Sequence, residues 1–380
     1  MNKILKAALI TSLPSLLGSS GCIGKETTAP SEPNSTDEAG AGKDYLAVND
    51  TAYYPALSGV VACDDTDHNG FSDIIVGMRP ENVKMFSIYR LAILKNGIES
   101  ETERVGFLYD VVQKSAILAA DNTHESGKIL IGIKAYENEL EGDVPFQIYD
   151  FFQRKELAHI QAQAKSATLL GIGDLDGNGT SEVVVIAKRR GEPYKLYPDF
   201  LHNNNASQEL PYFIPTQGSL ALADMNGDGL DDIILGTTAM PFEQQQDTTQ
   251  EQYTLRIGYL ASDGSYKWKT RAVIEWVSPR TEWLAVGDID NDGKKEILLG
   301  MKKNEKERAA THFQIVSVPY DPSQQQRVIE DLFIAGDGTA SMCLGDIDND
   351  HDLDIAVGTK TYFGNFGLYQ LRNNGNGFFE

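Results

Sequence analysis

An all-β fold, a six-bladed β-propeller, is predicted by three features of this 380-residue chain. One acidic loop occurs five times, and each copy runs directly into a short apolar strand. The strand ahead of the loop alternates small and large residues. The later copies return at intervals of roughly 50 to 64 residues, a span that suits one propeller blade. A seven-bladed ring is the alternative, but too little sequence precedes Val60 to build the extra blade.

The loops read DTDHNGFSD from Asp65, DLDGNGTSE from Asp174, DMNGDGLDD from Asp224, DIDNDGKKE from Asp288 and DIDNDHDLD from Asp346. Oxygen-bearing side chains fill positions one, three, five and nine of every copy, and glycine fills position six in four of them. Ca²⁺ takes about six to eight hard oxygen ligands, so a short loop must turn alternate side chains inward while its backbone curls around the ion. A glycine at position six permits that sharp turn. The expected side-chain ligands are Asp65, Asp67, Asn69 and Asp73 in the first loop, and Asp174, Asp176, Asn178 and Glu182 in the second. Asp224, Asn226, Asp228 and Asp232 follow, then Asp288, Asp290, Asp292 and Glu296, then Asp346, Asp348, Asp350 and Asp354. The carbonyls of Phe71, Thr180, Leu230, Lys294 and Asp352, at position seven, would each add a ligand.

One such loop alone would read equally well as a polar turn. Five of them gather 17 carboxylates at the ligand positions, and clustered carboxylates repel and raise one another's pKa unless a cation sits among them. About five Ca²⁺ ions are therefore expected. The loops at Asp288 and Asp346 offer four carboxylates each, which favours affinity. His351 stands in the last loop where glycine is expected, and this works against it.

Position nine opens a strand in every copy: Asp73 precedes IIVG, Glu182 VVVIA, Asp232 IILG, Glu296 ILLG and Asp354 IAVG. Such runs read as buried strands. The gap between the first two copies is double the others, and a decayed repeat fills it. DNTHESG from Asp121 leads to KILIG at Lys128 to Gly132, with Lys128 in the place of the closing carboxylate. Calcium loops thus join the first two strands of five blades, and an ammonium replaces the ion in the other. Ahead of the loops, small residues keep one phase (Gly171 and Gly173, Ala221 and Ala223, Ala285 and Gly287, Cys343 and Gly345). Large residues keep the other (Leu170 and Ile172, Leu220 and Leu222, Leu284 and Val286, Met342 and Leu344), as crowded innermost strands require. Third strands are expected at Phe146 to Phe152, Tyr253 to Leu260 and His312 to Val318. The chain ends early in its last blade, so Tyr45 to Val48 are expected to complete it and close the ring.

The five loops with their strands, and the closing LRNNGNGFF from Leu371 to Phe379, resemble FG-GAP or VCBS repeats. These are the calcium-bearing blades of integrin α-subunit propellers and of many bacterial surface proteins. The resemblance runs from about Tyr45 to the end and implies metal ligation by positions one, three, five and nine. His351 and the loop at Asp121 depart from the pattern. Propellers serve many functions, so the resemblance fixes no ligand.

Residues 1–22 read as an export signal: Lys3 and Lys6, an apolar stretch from Ala7 to Leu17, then SSGC ending at Cys22. They resemble a bacterial lipoprotein signal, which implies lipidation of Cys22, although Ser19 stands where a leucine-like residue is usual. Free secretion is the alternative. Residues 23–43 are rich in Ser, Thr, Pro, Glu and Gly, as expected of a disordered tether. Residues 44–380 form the propeller. Export would place the chain at the bacterial cell envelope, on the outer membrane or cell surface, held to the membrane by a lipid anchor.

Cys63 and Cys343 fall in the inner strands of the first and last blades, which would be ring neighbours, yet in opposite phases of those strands. Two buried thiols are the expectation, and a disulfide is the alternative. The formal net charge of -22 argues against nucleic acid as a partner. No nucleophile motif, phosphate loop or paired-cysteine metal motif occurs, and the six histidines (His68, His124, His159, His202, His312 and His351) are scattered, so no catalytic residue and no organic cofactor is expected. Glutamine-rich connections at 241–252 and 320–327 read as surface insertions. Tyr194, Tyr197, Tyr212, Phe213, Trp268, Trp276 and Trp283 read as filling between blades. The expected function is a surface-tethered module for adhesion, binding a protein or glycan at the propeller rim, with calcium structural. An envelope assembly component and a propeller enzyme acting on polysaccharide are the alternatives.

Overall fold

The computed structural model describes residues 56–379 apart from 67, 81–84, 93–100, 110–115, 121–127, 135–141, 154, 165, 204, 211–217, 238–251, 276–282, 304–310, 320–326, 335–339 and 361–365. The export signal with Cys22, the tether and Tyr45 to Val48 therefore lie outside the described residues, as do both glutamine-rich connections apart from Gln252 and Arg327.

The described strands form six up-and-down antiparallel sheets. The first holds β1 (Ala56–Asp64), β2 (Asp73–Pro80), β3 (Met85–Ala92) and β4 (Glu101–Tyr109). The second holds β5 (Ala116–Ala120), β6 (Ile129–Lys134), β7 (Asp143–Asp150) and β8 (Lys155–Gln163). The third holds β9 (Leu169–Gly173), β10 (Glu182–Lys188), β11 (Tyr194–Tyr197) and β12 (Gln208–Glu209). The fourth holds β13 (Gly218–Ala223), β14 (Asp232–Thr237), β15 (Gln252–Leu260) and β16 (Tyr266–Glu275). The fifth holds β17 (Trp283–Gly287), β18 (Glu296–Lys303), β19 (Thr311–Val318) and β20 (Arg327–Ile334). The sixth has three described strands, β21 (Ala340–Gly345), β22 (Asp354–Lys360) and β23 (Phe366–Leu371). The first strand of each sheet touches the first strand of the next, and β21 touches β1, so the chain is an all-β propeller. The decayed repeat is a full four-stranded sheet. Expected third strands fall in β7, β15 and β19, and the first of these starts three residues earlier than expected.

Each second strand is buried on both faces, which explains its unbroken apolar run. In β10, Val183 and Val185 pack with Leu130 and Ile148 of the second sheet, while Val184 and Ile186 pack with Ile233 and Leu235 of the fourth. Equivalent cores lie between the first and second, fourth and fifth, and fifth and sixth sheets. The small and large phases of the inner strands meet across these seams. A Cβ on Gly171 would lie 2.2 Å from Leu222 Cδ1, and one on Gly173 would lie 2.9 Å from Leu222 Cβ. Ala285 likewise packs with Met342 and Leu344. The small side of one inner strand is the socket for the large side of the next. Gly236 has a different task, since Tyr253 of the third strand crosses directly over it and reaches Ser219 Oγ at 2.5 Å.

The cysteines are not free thiols. Cys63 and Cys343 form a disulfide, with Cα atoms 5.5 Å apart. Their opposite phases are the reason, because neighbouring blades face each other through opposite phases of their inner strands. Cys343 is on the small side of β21, and Cys63 on the facing side of β1. Val61 N donates to Ser341 Oγ (2.8 Å) beside it, and Ser72 N donates to Asp346 O (2.6 Å). The bond spans 280 residues and joins the last sheet to the first.

Two outcomes follow from this packing. Gly173→Ala is expected to cost about 1–3 kcal/mol by overpacking the seam, read as a lower melting temperature. Reduction, or Cys63→Ala with Cys343→Ala, is expected to cost about 2–4 kcal/mol. Melts with and without reductant check this, with alkylation and mass measurement counting the thiols released. An unchanged melt of fully reduced protein would contradict the role of the clasp.

Candidate cation-binding loops

Every acidic loop joins the first strand of a sheet to the second, so all five leave the ring at the same end. The ladder closes each loop at one register. Position nine pairs with the residue just before position one: Asp73 with Asp64, Glu182 with Gly173, Asp232 with Ala223, Glu296 with Gly287 and Asp354 with Gly345.

Within that frame the five loops share one hydrogen-bond pattern. The position-one carboxylate accepts from the backbone N–H of position five at 3.0–3.2 Å and of position six at 2.8–3.1 Å. The position-five side chain accepts from the N–H of position seven at 2.7–3.0 Å. The position-nine carboxylate reaches back to the N–H of position two at 2.8–3.3 Å. Position two is itself a plug into the core: Leu175, Met225, Ile289 and Ile347 are buried. The first loop has Thr66 there instead, and its hydroxyl donates to Asp73.

The backbone is left-handed at position six, at Gly70, Gly179, Gly229, Gly293 and His351 (φ 73°). His351 therefore adopts the turn of the glycine it replaces, at a steric cost of about 1 kcal/mol. Position four is left-handed as well, at His68, Gly177, Gly227, Asn291 and Asn349. The sequence signal for this second turn is the residue set itself, glycine, asparagine and histidine, which tolerate positive φ best.

These turns bring acidic side chains of a loop together. Carboxylate oxygens of Asp174, Asp176 and Glu182 lie within 4.8 Å of one another, as do those of Asp288, Asp290 and Glu296 and those of Asp346, Asp348 and Asp354. Oxygens on one ion at Ca²⁺ bonding distances can be no more than about 5 Å apart, so each trio could hold a hard divalent cation. In the loop at Asp224 position three is Asn226, and Asp224, Asp228 and Asp232 supply the charge. Asp65, Asn69 and Asp73 are in place in the first loop, while Asp67 lies outside the described residues. Asp348 Oδ1 is buried and meets no hydrogen-bond partner among the described residues. The donors are all oxygens, the chemistry Ca²⁺ prefers.

Burial, and then the charge of neighbouring loop carboxylates, pushes Asp232, Glu296 and Asp354 up to about 7. Glu182 and Asp346 rise chiefly by burial, and so does Asp348, which the charge of Asp350 raises further. Basic groups lean on the last two loops: Lys294 Nζ is 3.3 Å from Asp292, Arg372 is 3.3 Å from Asp348, and His351 Nδ1 is 3.6 Å from Asp346. At the decayed repeat, Lys128 Nζ donates to Ser181 O of the neighbouring loop (3.4 Å), and residues 121–127 lie outside the described set.

Neighbouring loops also touch, which sequence reasoning missed. Asp231 N donates to Asp174 O (2.8 Å), and Asp174 N donates to Asp231 Oδ2 (2.9 Å). The C-terminal turn after β23 packs on two loops at once through Asn373. The NNGNG run marked a turn there without showing its reach. Among the described histidines, His159 and His202 pair with Glu156 and Asp199 at 2.9 Å, and His68 and His351 lie in the loops. Tyr194 and Tyr197 are buried between blades, and Trp268 and Trp283 are half-buried against the seam cores. Tyr212, Phe213 and Trp276 lie outside the described residues.

A family model, FG-GAP-like repeat, matches residues 224–299, from the first residue of one acidic loop to the strand that follows the next. The fold is similar to that of AofleA from Arthrobotrys oligospora, with a TM-score of 0.54 at 11% identity over 86% of each chain. It is also similar to a variant of Aleuria aurantia lectin in complex with alpha-methyl-L-fucoside, with a TM-score of 0.43 at 9% identity over 84% of this chain and 92% of that one. At these identities the likeness is one of fold. A comparison with curated proteins returns no match.

The raised carboxylates set a pH dependence for the metal-free protein. Their folded pKa values lie above the ordinary carboxylate range of about 4, so the folded state binds more protons between about 4 and about 7. The stability this gives is complete below about 4 and is lost as pH rises through about 7. In excess chelator the melting temperature is expected to fall by several degrees across that window. A melt series from pH 4 to 8 checks it, and a rising or flat profile would contradict the burial of these groups.

Proposed function

We propose that this chain is an exported, surface-tethered, six-bladed propeller that binds about five Ca²⁺ ions in its acidic loops and acts as a protein- or glycan-binding adhesion module. The ions are structural. Asp65, Asp67, Asn69 and Asp73, and their equivalents in the other loops, would hold them, with the position-seven carbonyls. Cys22 carries the lipid that tethers it, and the chain performs no chemistry.

One observation carries the calcium reading: the same set of oxygen ligands is gathered, pre-oriented by backbone N–H groups and partly desolvated, in loop after loop of one ring. Like charges held this close cost several kcal/mol per pair even at an effective dielectric of about 20. A bound cation reverses that sign. The FG-GAP-like match over two loops points the same way.

Metal analysis with thermal melts of the full chain tests the reading. About five calcium ions per chain are expected, with a melting temperature that falls on chelation and recovers when calcium is restored. Each filled site stabilises the fold by about 2.7 kcal/mol at a calcium concentration of 100 times its Kd. No bound metal, together with an unmoved melt, would reduce the loops to acidic turns.

A further inference from the structure

Resting on that reading of the loops as cation sites, we infer that the sites beginning at Asp288 and Asp346 bind their ions cooperatively, and that Asn373 is the positioning residue that couples them. Asn373 follows β23 and is 5% exposed. Its backbone N–H donates to Asp354 Oδ1 (2.8 Å), the closing carboxylate of the last loop. Its side-chain Nδ2 donates to Ile289 O (2.7 Å), at position two of the preceding loop, and to Leu353 O (3.2 Å). Its Oδ1 accepts from Gly375 N (3.2 Å).

The chain of contacts does not stop at Ile289. The N–H of Ile289 donates to Glu296 Oε2 (3.2 Å), the closing carboxylate of its own loop. A single residue, Ile289, and a single asparagine therefore connect the two carboxylates that close the two sites. Neither carboxylate can swing out without disturbing a group that the other relies on.

A second bridge runs beside the first. Asn291 Nδ2 donates to Asp352 Oδ1 (2.6 Å), at position seven of the last loop, and lies 3.5 Å from Gly375 O. The turn is pinned at its far end as well. Arg327 donates to Gly377 O and lies 5.0 Å from the Phe378 ring, and a Cβ on Gly377 would be 3.4 Å from Asp290 Cβ. The C-terminal turn is thus a shared wall of both sites. An ion that orders one loop orders this wall, and the second ion then binds to a partner already in place. Coupling of this kind is reciprocal, so each ion must favour the other equally. The loops at Asp174 and Asp224 are joined differently, through Asp231, and serve as an internal control.

Hydrogen exchange of the full chain, followed by mass spectrometry as calcium is raised, reads each loop separately. Disabling the last site by Asp346→Ala is expected to move the calcium midpoint for protection of residues 288–296 upward at least fivefold, while residues 174–182 stay where they were. In the background of Asn373→Ala, Asp346→Ala should shift that midpoint less than twofold, the remainder passing through Asn291. Asn291→Gly, which keeps the left-handed turn that glycine makes in two other loops, should weaken the coupling and serves if Asn373→Ala does not fold. A midpoint for 288–296 that ignores Asp346→Ala in the otherwise unchanged chain overturns the coupling while calcium binding stands. Loops that gain no protection from calcium at all overturn both readings.

Discussion

A carboxylate buried at the head of a central strand constrains everything around it. Asp73, Glu182, Asp232 and Asp354 are buried at the point where the second strand of a blade begins, and Glu296 is half-buried there. Each has like charges within its own loop. In four of the five loops the residue at position two helps to hold the loop down, and the first has Thr66 there instead. Leu175, Met225, Ile289 and Ile347 are driven into the seam cores and hold the loop down by about 1.5–3 kcal/mol each. Two carboxylates about 4 Å apart repel by roughly 4 kcal/mol at an effective dielectric of 20. The apolar plug does not offset a trio of such charges alone. Protons or a cation must supply the rest, and the upward shift of the closing carboxylates is the proton answer to the same demand.

Much of the ring was legible because its rules are local. Position nine, the apolar run after it and the small-and-large alternation before it all lie within about twenty residues, and their period counts the sheets. KILIG located the second sheet even though its loop had lost the acidic pattern. The cysteines show how a local rule can be read wrongly. Cys63 and Cys343 stand in opposite phases, which looks like separation when strands are compared in isolation. A propeller seam joins the front of one blade to the back of the next, so opposite phases are the ones that meet. Gly173 against Leu222 and Ala285 against Leu344 follow the same rule.

What stayed hidden depends on contacts between distant segments. Nothing near Asn373 in the sequence indicates that its side chain reaches Ile289, 84 residues earlier. Nor does the run KKE around Lys295 show whether a neighbouring loop will touch it, although DDI at Asp231 and FSD at Ser72 are both used in that way. Position four was hidden for another reason. Its residues, His68, Gly177, Gly227, Asn291 and Asn349, share no chemistry, only a tolerance of positive φ, and that becomes a pattern once the backbone is seen. Two left-handed turns, two residues apart, fold the backbone N–H groups of positions five and six onto the first carboxylate.

Charge alone does not rank these loops. The two with four carboxylates, at Asp288 and Asp346, also draw basic side chains onto those carboxylates, Lys294 to Asp292 and Arg372 to Asp348. Either cation would have to give way before a metal could gain the full charge of such a site. The last loop carries in addition the left-handed His351, whose N–H makes the longest of the five contacts from position six to the first carboxylate, at 3.1 Å. Against these costs stands the C-terminal turn, which fixes Asp354 from outside the loop and leaves less of it to be ordered by the ion. If the loops hold cations as proposed, a loop that is weaker by its own residues would be rescued by its neighbours. Its affinity would then belong to the seam between two blades more than to its nine residues.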